Sequence, residues 1–246
     1  MTKEIVLYKI PQVFEKAAIL ESSVLKEYNA SLEPFNEHAK RSLGQYKVVD
    51  GELAGSSPLM QIHLLNSGVL PEGDRLVTRA DLEKAVVFDR GNKFLGGIYT
   101  DFGLALKTEG DPYEIDGVKV NDAIARKLAM QLKKREIALG GGVLIPFSAF
   151  KETNKESERY GVTLDLNDLA TKETIRPLQE FTWSNLRGEG LSCASLDFGR
   201  GWDSDDGHLG RSYGNGRVVV VRAGGTPKKF LVKLKNEIDA KLHSLQ

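Results

Sequence analysis

Apolar residues recur at helical spacing in five stretches of the chain. The clearest case is the repeat of Ile124, Leu128 and Leu132, which fall on one face of a helix. Another stretch begins with Thr78, a suitable N-cap, and carries Asp81 in its first turn. The pattern predicts helices over Phe14–Glu27, Pro58–Leu65, Leu76–Asp89, Asn121–Leu132 and Lys228–Leu245.

Strand patterns lie mostly in the second half of the chain. Val218–Val221 is a run of four valines, typical of a strand buried on both faces. Phe94–Leu106 alternates and predicts extended chain. Gly140, Gly141 and Gly142 are interpreted as a helix-to-strand joint. Further strands are predicted at Val143–Phe147, Gly161–Leu166 and Phe181–Trp183, and Lys151–Arg159 as a charged loop. Early helices and late strands predict an α+β fold.

The 246 residues are divided by this pattern into three parts. Residues 1–50 are predicted to be an N-terminal helical segment packed on a main domain at 51–224, and 225–246 an appended C-terminal helix. The apolar run at 5–8 is too short for a signal sequence or a membrane span. We therefore expect synthesis in the cytoplasm and no membrane insertion. A virion or surface location would need another carrier.

Charge and cysteine content restrict the chemistry. The 34 basic residues balance 34 acidic ones, which argues against a nucleic-acid partner. Cys193 is the single cysteine, so neither an intrachain disulfide nor a cysteine zinc site can form. The four histidines lack metal-binding spacing, and no G-x-S-x-G motif occurs, although a dispersed Ser-His-Asp set stays open. We therefore predict that the protein is not an enzyme and that it binds no metal ion and no cofactor.

The acidic stretch at 203–207 resembles a calcium-binding loop at first sight. In the D-x-[DN]-x-[DN]-G pattern counted from Asp203, the fifth position is Gly207 and the sixth is His208. The pattern requires Asp or Asn at the fifth position and Gly at the sixth. Because neither requirement is met, the stretch is interpreted as a solvated acidic loop.

The segment Leu191–Gly216 has an unusual composition. It contains no Lys, Glu, Gln or Met and is predicted to be a polar, loop-rich binding surface, although a region of tight turns would also be poor in Lys and Glu. Most of its residues can be encoded by changing only the adenines of the codon AAC, whereas Lys, Glu, Gln, Met and Trp cannot. Three apolar residues, Leu196, Trp202 and Leu209, are the predicted anchors. The candidate ligand-binding residues are Ser192, Cys193, Ser195, Asp197, Phe198, Gly199, Arg200, Gly201, Asp203, Asp205, Asp206, Gly207, Arg211, Tyr213, Gly214 and Asn215.

Two flanking motifs accompany this segment. Arg187-Gly188-Glu189-Gly190-Leu191 precedes it and is similar to an R-G-G entry, and Gly216-Arg217-Val218-Val219 follows it and is similar to a G-[FR]-R-V exit strand. With these motifs the chain resembles the variable proteins of diversity-generating retroelements, particularly those of archaea and archaeal viruses. It departs from them in having Leu191 where the family has tryptophan, and in the extension Gly225–Gln246.

The resemblance implies a C-type lectin-like fold with short strands and flanking helices. It further implies that a reverse transcriptase rewrites the variable region at adenines, and that this region binds a protein or another macromolecule. The protein is then a monomeric display protein. Two alternatives on the same fold stay open, a calcium-dependent lectin and an oxidase similar to formylglycine-generating enzymes. A structural virion component is a further alternative.

Overall fold

A computed structural model describes residues 4–6, 14–107, 122–153 and 159–224. Within them the α-helices are α1 (Leu25–Ser31), α2 (Glu37–Leu43), α3 (Pro58–Asn66), α4 (Arg79–Phe88) and α5 (Asp122–Lys134). The strands are β1 (Glu4–Val6), β2 (Phe14–Ile19), β3 (Lys47–Val49), β4 (Glu52–Ala54), β5 (Asp74–Leu76), β6 (Thr100–Lys107), β7 (Val143–Pro146), β8 (Phe150–Thr153), β9 (Thr163–Leu166), β10 (Arg176–Pro177), β11 (Asn185–Leu186), β12 (Gly190–Leu196), β13 (Trp202–Ser204) and β14 (Val219–Gly224). The mixture of helices and strands is α+β. The predicted C-terminal helix lies outside the described residues.

Two sheets organise the fold. One has the strand order β1-β2-β14-β5 with antiparallel pairs throughout. The other has the order β10-β7-β6-β12-β13-β11, antiparallel except for the pair β11–β13. The hairpins β3–β4 and β8–β9 form two small additional sheets. The predicted valine strand is confirmed, because β14 is an inner strand and Val219, Val220 and Val221 are buried.

The predicted helix over 14–27 is wrong. Residues 14–19 form β2, which pairs with both β1 and β14, and α1 begins only at Leu25. Ala17, Ala18, Ile19 and Leu20 are all buried. A strand buried on both faces gives a continuous apolar run, and a short run of this kind also fits helical spacing. The described residues of the predicted N-terminal helical segment therefore include a strand, since β2 supplies an inner strand of the sheet that holds β14.

The other helix predictions are confirmed where the structure describes them. α3, α4 and α5 begin and end within a few residues of the predicted limits. The Thr78 side chain accepts from the backbone N–H of Asp81, and the Asp81 carboxylate accepts from the backbone N–H of Thr78. This reciprocal cap stabilises the start of α4. No helix in the described ranges has the length and apolar character needed to cross a membrane.

Both faces of the six-stranded sheet are covered. Leu191 and Cys193 of β12 belong to the apolar core that includes α3 and α5. Ala194 and Leu196 belong to a second core with Val219 and Val221 of β14. β12 thus has apolar layers on both of its faces. The side chains of this part of the candidate segment are therefore shielded from a ligand.

Candidate functional site

The start of the candidate segment is a buried strand, and the prediction of loop there is wrong. β12 lies between β6 and β13. Ser192 Oγ lies 2.8 Å from Ser204 Oγ, and Cys193 Sγ donates to the carbonyl of His208 at 3.7 Å. Burial raises the pKa of the Cys193 thiol well above its ordinary value. Ser192 and Cys193 are both buried, so we remove them from the ligand-contacting set.

The turn between β12 and β13 presents Phe198. The Asp197 carboxylate accepts the backbone N–H of Phe198 at 2.7 Å, and the Asp197 carbonyl accepts that of Arg200 at 2.8 Å. The backbone N–H of Asp197 donates to the carbonyl of Gly201 at 2.9 Å. Phe198 is 56% exposed at the tip of this hydrogen-bonded turn. The turn therefore holds an aromatic side chain in solvent on a fixed backbone.

Arg200 ties this turn to the end of α4. Its Nη2 donates to the Asp89 carboxylate at 2.9 Å, and its Nε donates to the Asn92 side-chain oxygen at 2.8 Å. The Asp89 carboxylate also accepts the backbone N–H groups of Lys93, Phe94 and Leu95. The Arg200 guanidinium is thus occupied within the protein and positions the turn.

A second exposed stretch follows β13. Tyr213 is 44% exposed, and its ring packs edge-on against Tyr99 with the ring centres 5.8 Å apart. The Arg211 guanidinium lies 4.6 Å from the centre of the Tyr213 ring. The backbone N–H of Tyr213 donates to the Tyr99 hydroxyl at 2.9 Å, and that hydroxyl donates to the Ser56 carbonyl at 2.7 Å. Tyr99 therefore holds this loop through its ring and its hydroxyl group.

The two exposed stretches adjoin the same end of the sheet. Leu196, the last residue of β12, pairs with Thr100 at the start of β6. The preceding residue, Tyr99, bridges to Gly216. We call the exposed candidates of the segment 191–216 the display surface. They are Phe198, Gly199, Asp205, Arg211, Tyr213, Gly214 and Asn215.

The remaining candidates are less accessible. Gly207 is buried, and Asp203 is half-buried beside the Asn185 amide, which donates to its carboxylate at 3.0 Å. Burial raises the pKa of the Asp203 carboxyl, and the Asp197 and Asp205 carboxylates add to the increase although the Asn185 hydrogen bond opposes it. The other half-buried candidates are Ser195, Asp197, Arg200, Gly201 and Asp206.

The three predicted anchors lie under the display surface. Leu196 and Leu209 are buried. Trp202 packs edge-on against Phe102 with ring centres 5.8 Å apart, and the Arg79 guanidinium lies 4.4 Å from the Trp202 ring centre. Arg79 is also within 5 Å of the ring centres of Phe181 and Trp183. The predicted strand at 181–183 is wrong, because these aromatic residues instead surround the buried Arg79.

A buried polar group behind the display surface was not foreseen. Ser56 Oγ donates to the Asp101 carboxylate at 2.5 Å, and the Gln61 amide donates to Ser56 Oγ at 2.9 Å. Burial raises the pKa of Asp101 to about 7, and the Asp206 carboxylate adds to the increase although the Ser56 hydrogen bond opposes it. Ser56 and Gln61 are near neighbours, but Asp101 lies 45 positions from Ser56, so no local motif marks the group.

The structure also brings together a serine, a histidine and a carboxylate. Ser31 Oγ lies 2.8 Å from His63 Nε2, and His63 Nδ1 contacts the Glu152 carboxylate. Ser31 Oγ donates to the Tyr28 carbonyl at 2.6 Å, so its proton does not point to the imidazole. His63 is buried, with the rings of Tyr28 and Phe35 packed edge-on around it. This geometry suits a structural link between α1, α3 and β8 rather than an activated nucleophile.

We expect His63→Ala to lower the free energy of unfolding by about 3 kcal/mol, because it leaves a cavity and an unpaired, nearly buried Glu152. Ser31→Ala removes one hydroxyl and should cost about 1 kcal/mol. Denaturant unfolding monitored by circular dichroism measures both values. Equal losses in the two variants would contradict a central role for His63.

The part of the chain in the structure contains no group of three or more His, Cys, Asp or Glu side chains arranged to hold a metal ion. Comparison with known protein families, with curated proteins and with solved structures finds no match for this chain.

Proposed function

We propose that the display surface binds a macromolecular ligand, and that the chain is a variable protein of a diversity-generating retroelement with a C-type lectin-like scaffold. The observation that carries this proposal is the separation of roles within 191–216. Leu196 and Leu209 are buried and Trp202 packs on the core, whereas Phe198, Asp205, Arg211, Tyr213 and Asn215 are exposed.

The exposed side chains suit recognition. Phe198 and Tyr213 supply aromatic contact area with few rotatable bonds, and Asp205, Arg211 and Asn215 supply adaptable hydrogen bonds. Antibody loops use a similar set of residues. The proposed activity is therefore binding, with no chemical step.

The backbone around Phe198 and Asn215 is held by contacts that do not involve their side chains. The backbone of the 197–201 turn is held by its own hydrogen bonds and by Asp89, and the 211–216 loop is held by Tyr99. None of these contacts requires the side chain of Phe198 or Asn215. Substitution there should alter the binding chemistry while the fold stays unchanged.

Alanine at Phe198, Asp205, Tyr213 and Asn215 together is expected to lower the melting temperature by only a few degrees, because exposed side chains contribute little to stability. Differential scanning calorimetry measures this. A four-site alanine variant at Lys47, Arg90, Met130 and Lys134, which are also exposed, is the matched control. Unfolding of the display-surface variant alone would contradict the proposal.

Nucleotide sequencing of the gene and its flanks tests the retroelement origin. We expect a near-identical repeat close to a reverse transcriptase gene, differing from the coding copy at adenines. The differences should change the codons of Phe198, Asp205 and Tyr213 and leave those of Leu196 and Trp202 intact. A gene without such a repeat, or differences spread over the anchor codons, would contradict it.

A further inference from the structure

The start of α4 borders a cavity of about 280 Å³. The apolar part of its wall is formed by Phe102 of β6, by Leu144 and Pro146 of β7, and by Phe181. Arg79, the first residue of α4, also lines it. None of the display-surface residues is among the described residues of this wall. The cavity is therefore a candidate site separate from the display surface, with apolar side chains beside a buried arginine.

Arg79 is held within the protein by two of its three guanidinium nitrogens. Its Nε donates to the Glu83 carboxylate at 2.9 Å, and its Nη2 donates to the Thr182 carbonyl at 2.7 Å. The third nitrogen, Nη1, is buried and has no hydrogen-bond acceptor among the described residues. Only 4% of the Arg79 side chain is exposed, so bulk water does not supply that acceptor. Buried polar atoms of folded proteins nearly always have a partner, and such an exception is typical of a place where an ion or molecule binds.

Three aromatic rings surround the Arg79 guanidinium without supplying the acceptor. Its central carbon lies 4.4 Å from the ring centre of Trp202, 4.7 Å from that of Trp183 and 4.8 Å from that of Phe181. Ring faces attract a cation, but they offer no oxygen to an N–H group. Burial lowers the pKa of Arg79 below its ordinary value, although the hydrogen bond to the half-exposed Glu83 opposes the shift. The charge of this guanidinium is therefore only partly compensated within the protein.

Three other polar side chains of the wall already have partners. Arg176 forms an ion pair with Glu180, and the Thr78 hydroxyl donates to the Asp81 carboxylate at 2.7 Å. The Thr174 hydroxyl donates to a backbone carbonyl. These groups are engaged within the protein, whereas the N–H groups of Arg79 Nη1 are left for a ligand.

We propose that this cavity binds a small aromatic carboxylate, whose oxygens accept from Arg79 Nη1. Hydrogen bonds between guanidinium and carboxylate are charge-assisted, and they are stronger where water is excluded. Thr78, Arg79 and Ala80 bring the N-terminus of α4 to the cavity, and the helix dipole there also favours a negative charge. Phe102 and Phe181 suit a flat apolar body. Since a cavity of about 150 Å³ holds benzene, about 280 Å³ has room for a ring with a carboxylate side chain.

Isothermal titration of the full chain with phenylacetate at pH 7.5 tests the proposal. We expect saturable binding with a dissociation constant below about 1 mM, which is the affinity that a ligand of this size reaches in a matching cavity. Phenylacetamide has nearly the same shape and no charge. It should bind at least about tenfold more weakly, because hydrogen bonds between two charged groups are about twice as strong as neutral ones.

Two variants at Ser148 test the place of binding without changing Arg79. Ser148 is an exposed residue of the cavity wall. Ser148→Trp should obstruct the cavity and weaken phenylacetate binding at least about tenfold, whereas Ser148→Ala, the matched control, should leave the constant within about twofold. Both variants should melt within a few degrees of wild type, since exposed substitutions seldom cost much stability.

Two arginine variants test which guanidinium binds the carboxylate. Arg79→Lys keeps the positive charge but has no Nη1, and it should weaken binding at least about tenfold. Arg176→Gln removes an arginine that Glu180 already pairs, so the constant should stay within about twofold. Loss of binding in Arg176→Gln with full binding in Arg79→Lys would overturn the role of Arg79.

The site itself would be overturned by any of three results. These are no saturation at about 10 mM phenylacetate, equal binding of phenylacetamide, and undiminished binding by Ser148→Trp. If Arg79→Lys does not fold, the amide and the two Ser148 variants still decide the outcome. The alanine and sequencing tests of the display surface change other residues, so their results and those of the titrations are independent.

Discussion

We expect Asp101→Asn to be more stable than wild type above pH 7. Wild type should lose stability between pH 4 and pH 8, and the substitution should remove most of that loss. Burial raises the pKa of this carboxyl from its ordinary value of 3.8 to about 7. The folded state therefore favours the protonated form. Ionisation at higher pH places a charge among Ser56, Gln61 and the apolar residues of β6, which is unfavourable.

The sign of the pH dependence follows from this raised pKa. The favourable contribution of Asp101 is fully present below 3.8 and is lost as the pH rises through about 7. The difference between the ordinary and the raised pKa of Asp101 corresponds to about 4 kcal/mol in the free energy of unfolding. This is the expected size of the stability difference between Asp101→Asn and wild type at pH 8. Guanidinium unfolding curves at pH 4, 6 and 8 measure it.

Asp89→Asn is the control of opposite sign. Burial opposes ionisation of Asp89, but the backbone N–H groups of Leu95, Phe94 and Lys93, together with Arg200, lower the pKa of Asp89 below its ordinary value. Its stabilising contribution is therefore present at neutral pH and is lost as the pH falls through the lowered folded pKa. Parallel pH profiles for Asp101→Asn and wild type would contradict the role assigned to Asp101.

Alanine at Asp89 is expected to lower the free energy of unfolding by about 4 kcal/mol at neutral pH, because several hydrogen-bond donors lose their acceptor at once. The carboxylate accepts the N–H groups of Lys93 and Phe94 at 3.0 Å and that of Leu95 at 2.9 Å. It also holds Arg200, whose turn carries Phe198. The substitution should therefore loosen part of the display surface as well as the loop after α4.

Two measurements separate these effects. Hydrogen exchange at the amides of Phe94 and Leu95 should accelerate in Asp89→Ala and change little in Arg200→Ala. Arg200→Ala alone should cost about 1–2 kcal/mol, and the double variant should cost less than the sum of the two single losses, because the residues share one interaction. A loss below 1 kcal/mol for Asp89→Ala, or strict additivity, would contradict this account.

The sequence by itself determined the features that depend on near neighbours. Thr78 and Asp81 are three residues apart and cap α4 as predicted, and the spacing of Ile124, Leu128 and Leu132 was sufficient to identify α5. The valine run of β14 identified a buried strand because such a run is seldom tolerated at the surface. Helical spacing and capping act within one or two turns, so a single sequence contains them.

Only the tertiary structure decided which residues of the candidate segment reach solvent. Ser192 and Phe198 satisfy the same codon pattern, yet pairing with β6 buries Ser192 while the turn exposes Phe198. The same holds for β2, whose apolar run became a strand because β1 and β14 pair with it. His63 meets Glu152 across 89 positions, and Arg200 meets Asp89 across 111. Such contacts depend on how the sheets pair and pack, and local spacing in the chain does not encode them.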